Sequence, residues 1–161
     1  MSRTATRYGV GIGALALAAV LVGDAGMALA QVKKSDSVVK VDAKADKPDA
    51  NGKQIITITL DIDKPWHIYA NPVENEDLAN VQTVVKIASK NKLEDVKVAY
   101  PSGKLQNDAG VKYKTYEGKI TIKAEVKRAR GDNSSLEVSI KLQACNDKTC
   151  LFPAMIKKEL P

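Results

Sequence analysis

The sequence predicts an all-β fold, an immunoglobulin-like antiparallel β-sandwich, and three observations lead to this class. Short runs rich in β-branched residues alternate apolar and polar positions, which is the pattern of strands with one buried face. Segments that contain glycine, proline or asparagine separate these runs at the short intervals typical of antiparallel sandwiches. No stretch after the N-terminal region has the periodicity of a long amphipathic helix.

The predicted elements follow one another along the chain with turn residues between them. Strands are expected at 37–43, 54–63, 66–70, 82–89, 93–100, 119–127 and 135–144. A turn is expected at 47–53, which contains Asn51-Gly52, and one helical turn at 75–82. The segment 101–118 is the longest one without strong alternation, and we expect a functional loop there.

The first thirty residues have the composition of a secretory signal. A short basic region precedes an almost wholly apolar run at 9–22, and Ala28-Leu29-Ala30 supplies the small residues that a signal peptidase reads. We expect cleavage after Ala30, which leaves 31–161 as a single soluble, exported domain. The alternative is a retained membrane anchor, which the short apolar run and Asp24 disfavour.

The formal net charge of +6 does not indicate nucleic-acid binding. The lysines are scattered among acidic and apolar residues, and no basic cluster is interleaved with aromatic residues. Solvated strand faces explain this distribution. No later stretch is long and apolar enough to span a bilayer, so we expect no stable membrane insertion after processing.

The sequence contains two cysteines, Cys145 and Cys150, in the stretch "LQACNDKTCLFPA". A short polar turn separates a strand pattern that ends at Cys145 from a final strand that begins near Cys150. Residues that flank a short hairpin loop face one another at a distance that a disulfide spans, and an exported compartment favours the bond. Closing so short a loop removes only about 2 kcal/mol of unfolded-state entropy. Spacing alone leaves a structural staple and a redox pair equally open.

A metal site is a weaker interpretation of the cysteines. Zinc needs at least three protein ligands, whereas the sequence offers two thiols and His67, which is distant along the chain. Cu(I) would use the two sulfurs, with Met155 as a further ligand, so a small copper carrier is one alternative. We expect no cofactor. Cysteine-protease chemistry needs a free cysteine beside a histidine and an orienting group, which a bridged pair does not supply.

Four stretches together resemble a known family. "WHIYANP", "VAYPSGKL", "YKTYEGKITIKAEV" and "LQACNDKTCLFPA" are similar to the N-terminal periplasmic domain of the thiol:disulfide interchange protein DsbD, over about residues 54–158. The last stretch is the most specific, because it combines a strand, two cysteines around a short polar turn and a following proline. The resemblance implies an immunoglobulin-like sandwich whose cysteines cycle between dithiol and disulfide. It also implies that electrons come from a thioredoxin-like domain and pass to periplasmic partners.

The resemblance also implies roles for individual residues. Cys150 would form mixed disulfides with partners, and Cys145 would resolve them. A cap loop that shields the pair maps to about Asp108–Tyr116, with Val111 and Tyr113 as candidates for the cap residue.

Tyr69 is a further candidate, for the wall of the cysteine pocket, because the family has aromatic residues in this region. Successive residues of a strand face opposite sides, so Tyr69 and His67 should face away from Trp66 and Ile68.

The sequence departs from the family in two respects. The family often has two prolines shortly after the second cysteine, whereas Leu151-Phe152-Pro153 holds one. The sequence also contains no membrane-spanning electron conduit and no thioredoxin domain, so thioredoxin-fold redox proteins would serve as donor and acceptor in trans. We therefore predict a free-standing periplasmic or otherwise exported thiol–disulfide exchange module. The main alternative is a non-catalytic binding sandwich with a structural turn disulfide.

Overall fold

The computed structural model describes residues 32–161 as eleven strands and two short 3₁₀ helices. The strands are β1 (Val39–Ala45), β2 (Lys53–Ile62), β3 (His67–Tyr69), β4 (Val84–Ser89), β5 (Asp95–Ala99), β6 (Lys104–Asp108), β7 (Val111–Glu117), β8 (Lys119–Lys127), β9 (Leu136–Leu142), β10 (Ala144–Cys145) and β11 (Ala154–Leu160). The 3₁₀ helices are Ser35–Ser37 and Glu76–Leu78, and the second lies within the predicted helical turn. The predicted signal at 1–30 lies outside the described residues.

The strands form three antiparallel sheets. The first has the order β1-β2-β8-β5, the second β10-β3-β7-β6 and the third β11-β9-β4. This arrangement confirms the predicted all-β, immunoglobulin-like sandwich. In the range 32–161, no helix is long and apolar enough to cross a membrane.

A single apolar core lies between the sheets, and the strands contribute to it with period two. Ile56, Ile58 and Leu60 of β2 are fully buried, whereas the residues between them are only partly buried. Ile122 of β8, in the same sheet, and Ile140 of β9, in the third sheet, extend this cluster. Full burial of one such side chain stabilises the fold by about 1.5–3 kcal/mol, so this alternation holds the sheets together.

The expectation of a loop at 101–118 is wrong, because most of this segment is a β-hairpin. β6 and β7 pair in register from Lys104 opposite Thr115 to Asp108 opposite Val111. The chain reverses through Ala109-Gly110, both of which have positive φ angles, 48° and 89°. The sequence hides this hairpin because β6 is an edge strand whose residues are mostly exposed, so it lacks an alternating apolar face.

The predicted strand at 135–144 is two strands that belong to different sheets. The pairing with β4 ends at Lys141 and the pairing with β11 at Leu142, and Ala144 and Cys145 then pair with β3 in the second sheet. Between them, the Gln143 side-chain amide donates to the carbonyl of Leu151 at 3.1 Å. The break brings Cys145 against β3, which a continuous strand would not have done.

Candidate functional site

Cys145 and Cys150 are joined by a disulfide across a tight hairpin, with their Cα atoms 4.0 Å apart. The Leu151 amide donates to the Ala144 carbonyl at 2.8 Å, and the Asn146 amide donates to the Thr149 carbonyl at 2.9 Å. The two cysteines thus occupy the non-hydrogen-bonded position between these bonds, where opposite residues of an antiparallel pair approach most closely.

The turn between the cysteines is held by its own hydrogen bonds. The Asn146 side-chain oxygen accepts from the amides of Lys148 and Thr149, both at 2.9 Å. An asparagine that bonds the backbone two and three residues ahead is a common way to fix a turn. The local geometry that sets the two sulfurs side by side therefore does not depend on the disulfide alone.

The two cysteines differ in exposure. Cys145 is 2% exposed and belongs to the buried residues of the fold, whereas Cys150 is exposed. Because an external thiolate must approach a sulfur atom directly, it reaches Cys150 more easily than Cys145.

Ser35, in the segment before β1, fixes the cysteine hairpin from behind. Its buried hydroxyl accepts from the Ala144 amide at 2.9 Å and donates to the Phe152 carbonyl at 2.8 Å. The Ser35 amide donates to the same carbonyl at 2.9 Å. The Ser35 hydroxyl thus binds the backbone on both sides of the disulfide. The sequence analysis did not identify this residue.

A cavity of about 700 Å³ opens beside the disulfide. Both cysteines and the turn line it on one side, and β3 and the β6–β7 hairpin line it on the other. The residues from that second side are His67, Tyr69, Lys104, Gln106, Asn107, Asp108, Tyr113 and Glu117. The pair therefore lies at the wall of a polar cleft and not in the core between the sheets.

Tyr69 contacts the buried sulfur directly. Its hydroxyl lies 3.7 Å from Cys145 Sγ, and it is the donor because a disulfide sulfur carries no proton. Burial raises the pKa of Tyr69 and the neighbouring Tyr113 adds to the effect, so the hydroxyl keeps its proton at neutral pH. The Tyr69 carbonyl accepts from the amide and hydroxyl of buried Thr83, at 3.0 and 2.7 Å, which fixes the strand.

His67 lies directly opposite Cys145 in the β3–β10 pair. Its ring meets that of Tyr69 edge to face, with centroids 6.2 Å apart. Burial lowers the pKa of His67; the Glu117 and Asp147 carboxylates oppose this effect, and Lys104 adds to it. The imidazole is therefore neutral at physiological pH.

Of the four residues that the sequence suggested for the cap over the cysteines, two line the cavity and two do not. The structure brings Asp108 and Tyr113 to the cavity beside Tyr69. Val111 is half exposed near the tip of the hairpin, away from the cavity-lining residues. Tyr116 faces the core on the other side of the hairpin, and its hydroxyl donates to the Pro101 carbonyl at 2.9 Å.

The cavity does not include Met155, the further ligand considered for Cu(I). Met155 lies on β11, is 63% exposed and borders a different, smaller hollow. Within residues 32–161, no group of three or more histidine, cysteine, aspartate or glutamate residues is placed to hold a metal ion.

A family model decides which family the sequence belongs to. The model described as "Thiol:disulfide interchange protein DsbD, N-terminal" matches residues 31–160. The chain belongs to the DsbD N-terminal domain family. This membership, together with two cysteines joined at disulfide distance, supports thiol–disulfide exchange as the general activity. No curated protein matches the sequence.

Solved structures of DsbD-type domains share the fold at low sequence identity. The N-terminal periplasmic domain of ScsB from Proteus mirabilis has a TM-score of 0.57 and 18% identity. That match covers 76% of this chain and 44% of the ScsB chain, so this chain spans less than half of that relative's length.

Two Neisseria meningitidis structures are also similar. The reduced DsbD N-terminal domain has a TM-score of 0.50 and 14% identity, with 79% of this chain and 87% of that chain covered. The DsbD N-terminal domain in complex with the PilB N-terminal domain has a TM-score of 0.50 and 9% identity, with 80% and 87% covered. At these identities, the likenesses support the fold alone.

Proposed function

We propose that this domain relays electrons between redox proteins through Cys145 and Cys150, with the two cysteines in different roles. The observation that carries the proposal is their unequal exposure: Cys150 faces solvent, whereas Cys145 is 2% exposed. Cys150 forms the mixed disulfide with a partner, and Cys145 resolves it.

The exchange proceeds by thiolate attack in either direction. When the domain is reduced by a donor, the donor thiolate attacks Cys150 Sγ, and Cys145 Sγ leaves with the electron pair of the broken S–S bond. The donor's second thiolate then attacks its own sulfur in the mixed disulfide, and Cys150 leaves as a thiolate. When the domain reduces an acceptor, Cys150 attacks first and Cys145 closes the disulfide again, which releases the acceptor dithiol.

The Tyr69 hydroxyl supports the step in which Cys145 leaves. A thiolate formed at a buried sulfur is costly unless a donor stabilises it. The Tyr69 hydroxyl, 3.7 Å from Cys145 Sγ, is the nearest such donor and shortens its hydrogen bond as negative charge develops on the sulfur.

The partners that fit this site are thioredoxin-fold redox proteins, whose exposed Cys-x-x-Cys thiolates are the natural counterparts in exchange. Phe152 supports a docking surface next to Cys150. Its side chain is 62% exposed, while its backbone carbonyl is bound by Ser35. The chain can thus present an apolar side chain without moving the hairpin. A DsbD N-terminal domain in complex with a PilB N-terminal domain is consistent with such pairing in a relative.

A trapping experiment tests the role assignment. Cys145→Ser leaves Cys150 without a resolving thiol, so it should accumulate a stable mixed disulfide with a partner. Cys150→Ser should accumulate little, because the remaining sulfur is buried. Both variants, in their reduced form, are mixed with a purified thioredoxin-fold protein that lacks its own resolving cysteine and whose remaining cysteine has been activated as a mixed disulfide with an aromatic thiol. Adducts are then separated on a non-reducing gel and identified by mass spectrometry.

Two results would contradict the proposal in different ways. Equal trapping by the two variants would refute the distinct roles of the cysteines. Adducts from neither variant would favour the alternative, a binding sandwich whose disulfide only closes a turn. The hydrogen bonds of Asn146 weigh against that alternative, because they already hold the turn.

We also propose that the domain acts after export to the periplasm or an equivalent compartment. The signal-like N-terminus and the disulfide support this location, since such bonds persist in oxidising compartments. The intact mass of the protein purified from its native source tests it, and cleavage after Ala30 is the expected result. A mature form that still begins at Met1 would contradict the proposed processing.

A further inference from the structure

His67 lies on the cavity wall beside Cys145, and the exchange steps above do not use it. It is the directly opposite partner of Cys145 in the β3–β10 pair. Opposite residues of an antiparallel pair point to the same face, with Cβ atoms about 4.5–5.5 Å apart. Both residues also line the same cavity. The only histidine of the chain is therefore held next to the sulfur that must resolve the mixed disulfide.

Cys145 needs a base to carry out that step. The thiolate is the attacking species, and burial disfavours the charged form of a thiol. With the mixed disulfide at Cys150, Cys145 is a protonated thiol at a site that is 2% exposed in the folded domain. Solvent hydroxide reaches such a sulfur poorly, so a neighbouring group must take the proton.

The other ionisable groups around the cavity are less suited to this task. The Glu117 carboxylate already accepts from Lys104 Nζ at 3.1 Å and from Gln106 Nε2 at 3.1 Å. Asp147 lies in the exposed turn, and Asp108 lies on the edge strand β6. Tyr69 holds its proton and donates toward the sulfur. The neutral His67 ring is left with a free nitrogen lone pair that accepts a proton.

We propose that His67 accepts the proton of Cys145 Sγ during resolution of the mixed disulfide, an inference that rests on the proposed exchange function. As the S–H proton moves to the imidazole, Cys145 Sγ attacks Cys150 Sγ. The bond between Cys150 and the partner breaks, and the partner sulfur leaves as a thiolate with the electron pair. In the reverse direction, the imidazolium returns a proton to Cys145 when that sulfur leaves.

The charges around His67 suit both halves of this cycle. Glu117, opposite His67 on β7, and Asp147 in the turn stabilise the imidazolium once it has formed. Lys104 on β6 and the burial of the ring favour release of the proton afterwards. His67 can thus accept a proton and return it within one cycle, as a proton-transfer residue must.

A two-phase reaction with an aromatic disulfide reagent measures the resolving step directly. The reduced domain attacks the reagent through Cys150 and releases one coloured thiolate in a phase that depends on reagent concentration. Cys145 then displaces the second coloured thiolate in a phase whose rate does not depend on reagent concentration. The first phase serves as an internal control for Cys150, and the second reports Cys145. Both rates are followed across the pH range in which histidine and thiols titrate.

Two substitutions separate proton transfer from packing. His67→Gln retains a polar side chain and His67→Tyr retains an aromatic ring, but neither supplies an imidazole. We expect the second phase at neutral pH to slow about 10²-fold in both variants. It should converge with the wild-type rate at high pH, where the thiolate forms without a base. Lys86→Gln, at an exposed position on β4 in another sheet, should change neither phase.

The possible results distinguish this inference from the function on which it rests. A second phase of unchanged rate in both His67 variants would overturn the inference while leaving exchange intact. Uniform slowing at every pH would also overturn it, because it would indicate a packing role. Absence of a second phase in the wild-type domain would overturn the proposed exchange function itself, and the role of His67 with it.

Discussion

The rings of Tyr69 and Tyr113 lie against each other, with centroids 5.9 Å apart and planes inclined at 52°. Tyr69 comes from β3 and Tyr113 from β7, so the contact joins the strand beside the disulfide to the β6–β7 hairpin. Because the Tyr69 hydroxyl reaches Cys145 Sγ, Tyr113 supports the aromatic side chain that contacts the buried sulfur. The two rings form one wall of the cavity.

Tyr113 should limit access to Cys145, whereas Val111 should not. We expect Tyr113→Ala to increase severalfold the alkylation rate of Cys145 in the reduced Cys150→Ser background. Val111→Ala is the matched control, because it removes an apolar side chain from the same strand that is half exposed outside the cavity. Rates are measured by mass spectrometry of quenched samples. Equal rates in the two variants would contradict a covering role for Tyr113.

The fold should survive removal of the disulfide. We expect the Cys145→Ser, Cys150→Ser double variant to lose about 2 kcal/mol of the free energy of unfolding, because the bond closes only a short loop. The bonds of Asn146 remain to hold the turn. Urea unfolding of the variant and of the oxidised wild type gives this difference. A variant that is unfolded without denaturant would indicate a structural disulfide instead.

Ser35 should contribute more to stability than its size suggests. Ser35→Ala leaves the Ala144 amide without its buried acceptor, so we expect a loss of about 1–3 kcal/mol. Ser37→Ala is the control, because that hydroxyl is exposed and bonds only the nearby Lys34 carbonyl. The control should change the free energy of unfolding by less than about 0.5 kcal/mol. Similar losses in the two variants would contradict the role of Ser35 in holding the cysteine hairpin.

The sequence predicted most accurately the strands that have one buried face and one exposed face. β8 has the bounds that its alternation predicts, since it lies between β2 and β5 and buries Ile122, Ala124 and Val126 on one face. β6 was not predicted, because an edge strand with two exposed faces needs no apolar alternation. The break at Gln143 was not predicted either, because β9 and β10 on its two sides both bury apolar residues.

At the site, the sequence revealed the cysteines but not most of their neighbours. The cysteine spacing is local, so the hairpin between them could be predicted from a short stretch. Ser35 could not, because it bonds Ala144 across 109 residues of sequence. The alternation of "WHIYA" did place His67 and Tyr69 on one face. What the sequence could not supply was the pairing of β3 with β10, which brings that face against Cys145.

The reduction potential of the Cys145–Cys150 pair tests the central claim most directly. The domain is equilibrated with thiol–disulfide buffers of known potential and quenched with acid. The fraction of each form is then read from the mass added by alkylation. An exchange pair is expected between about −270 and −120 mV, the range of proteins whose disulfides are made and broken in function. A value below about −300 mV, typical of structural disulfides, would contradict the account.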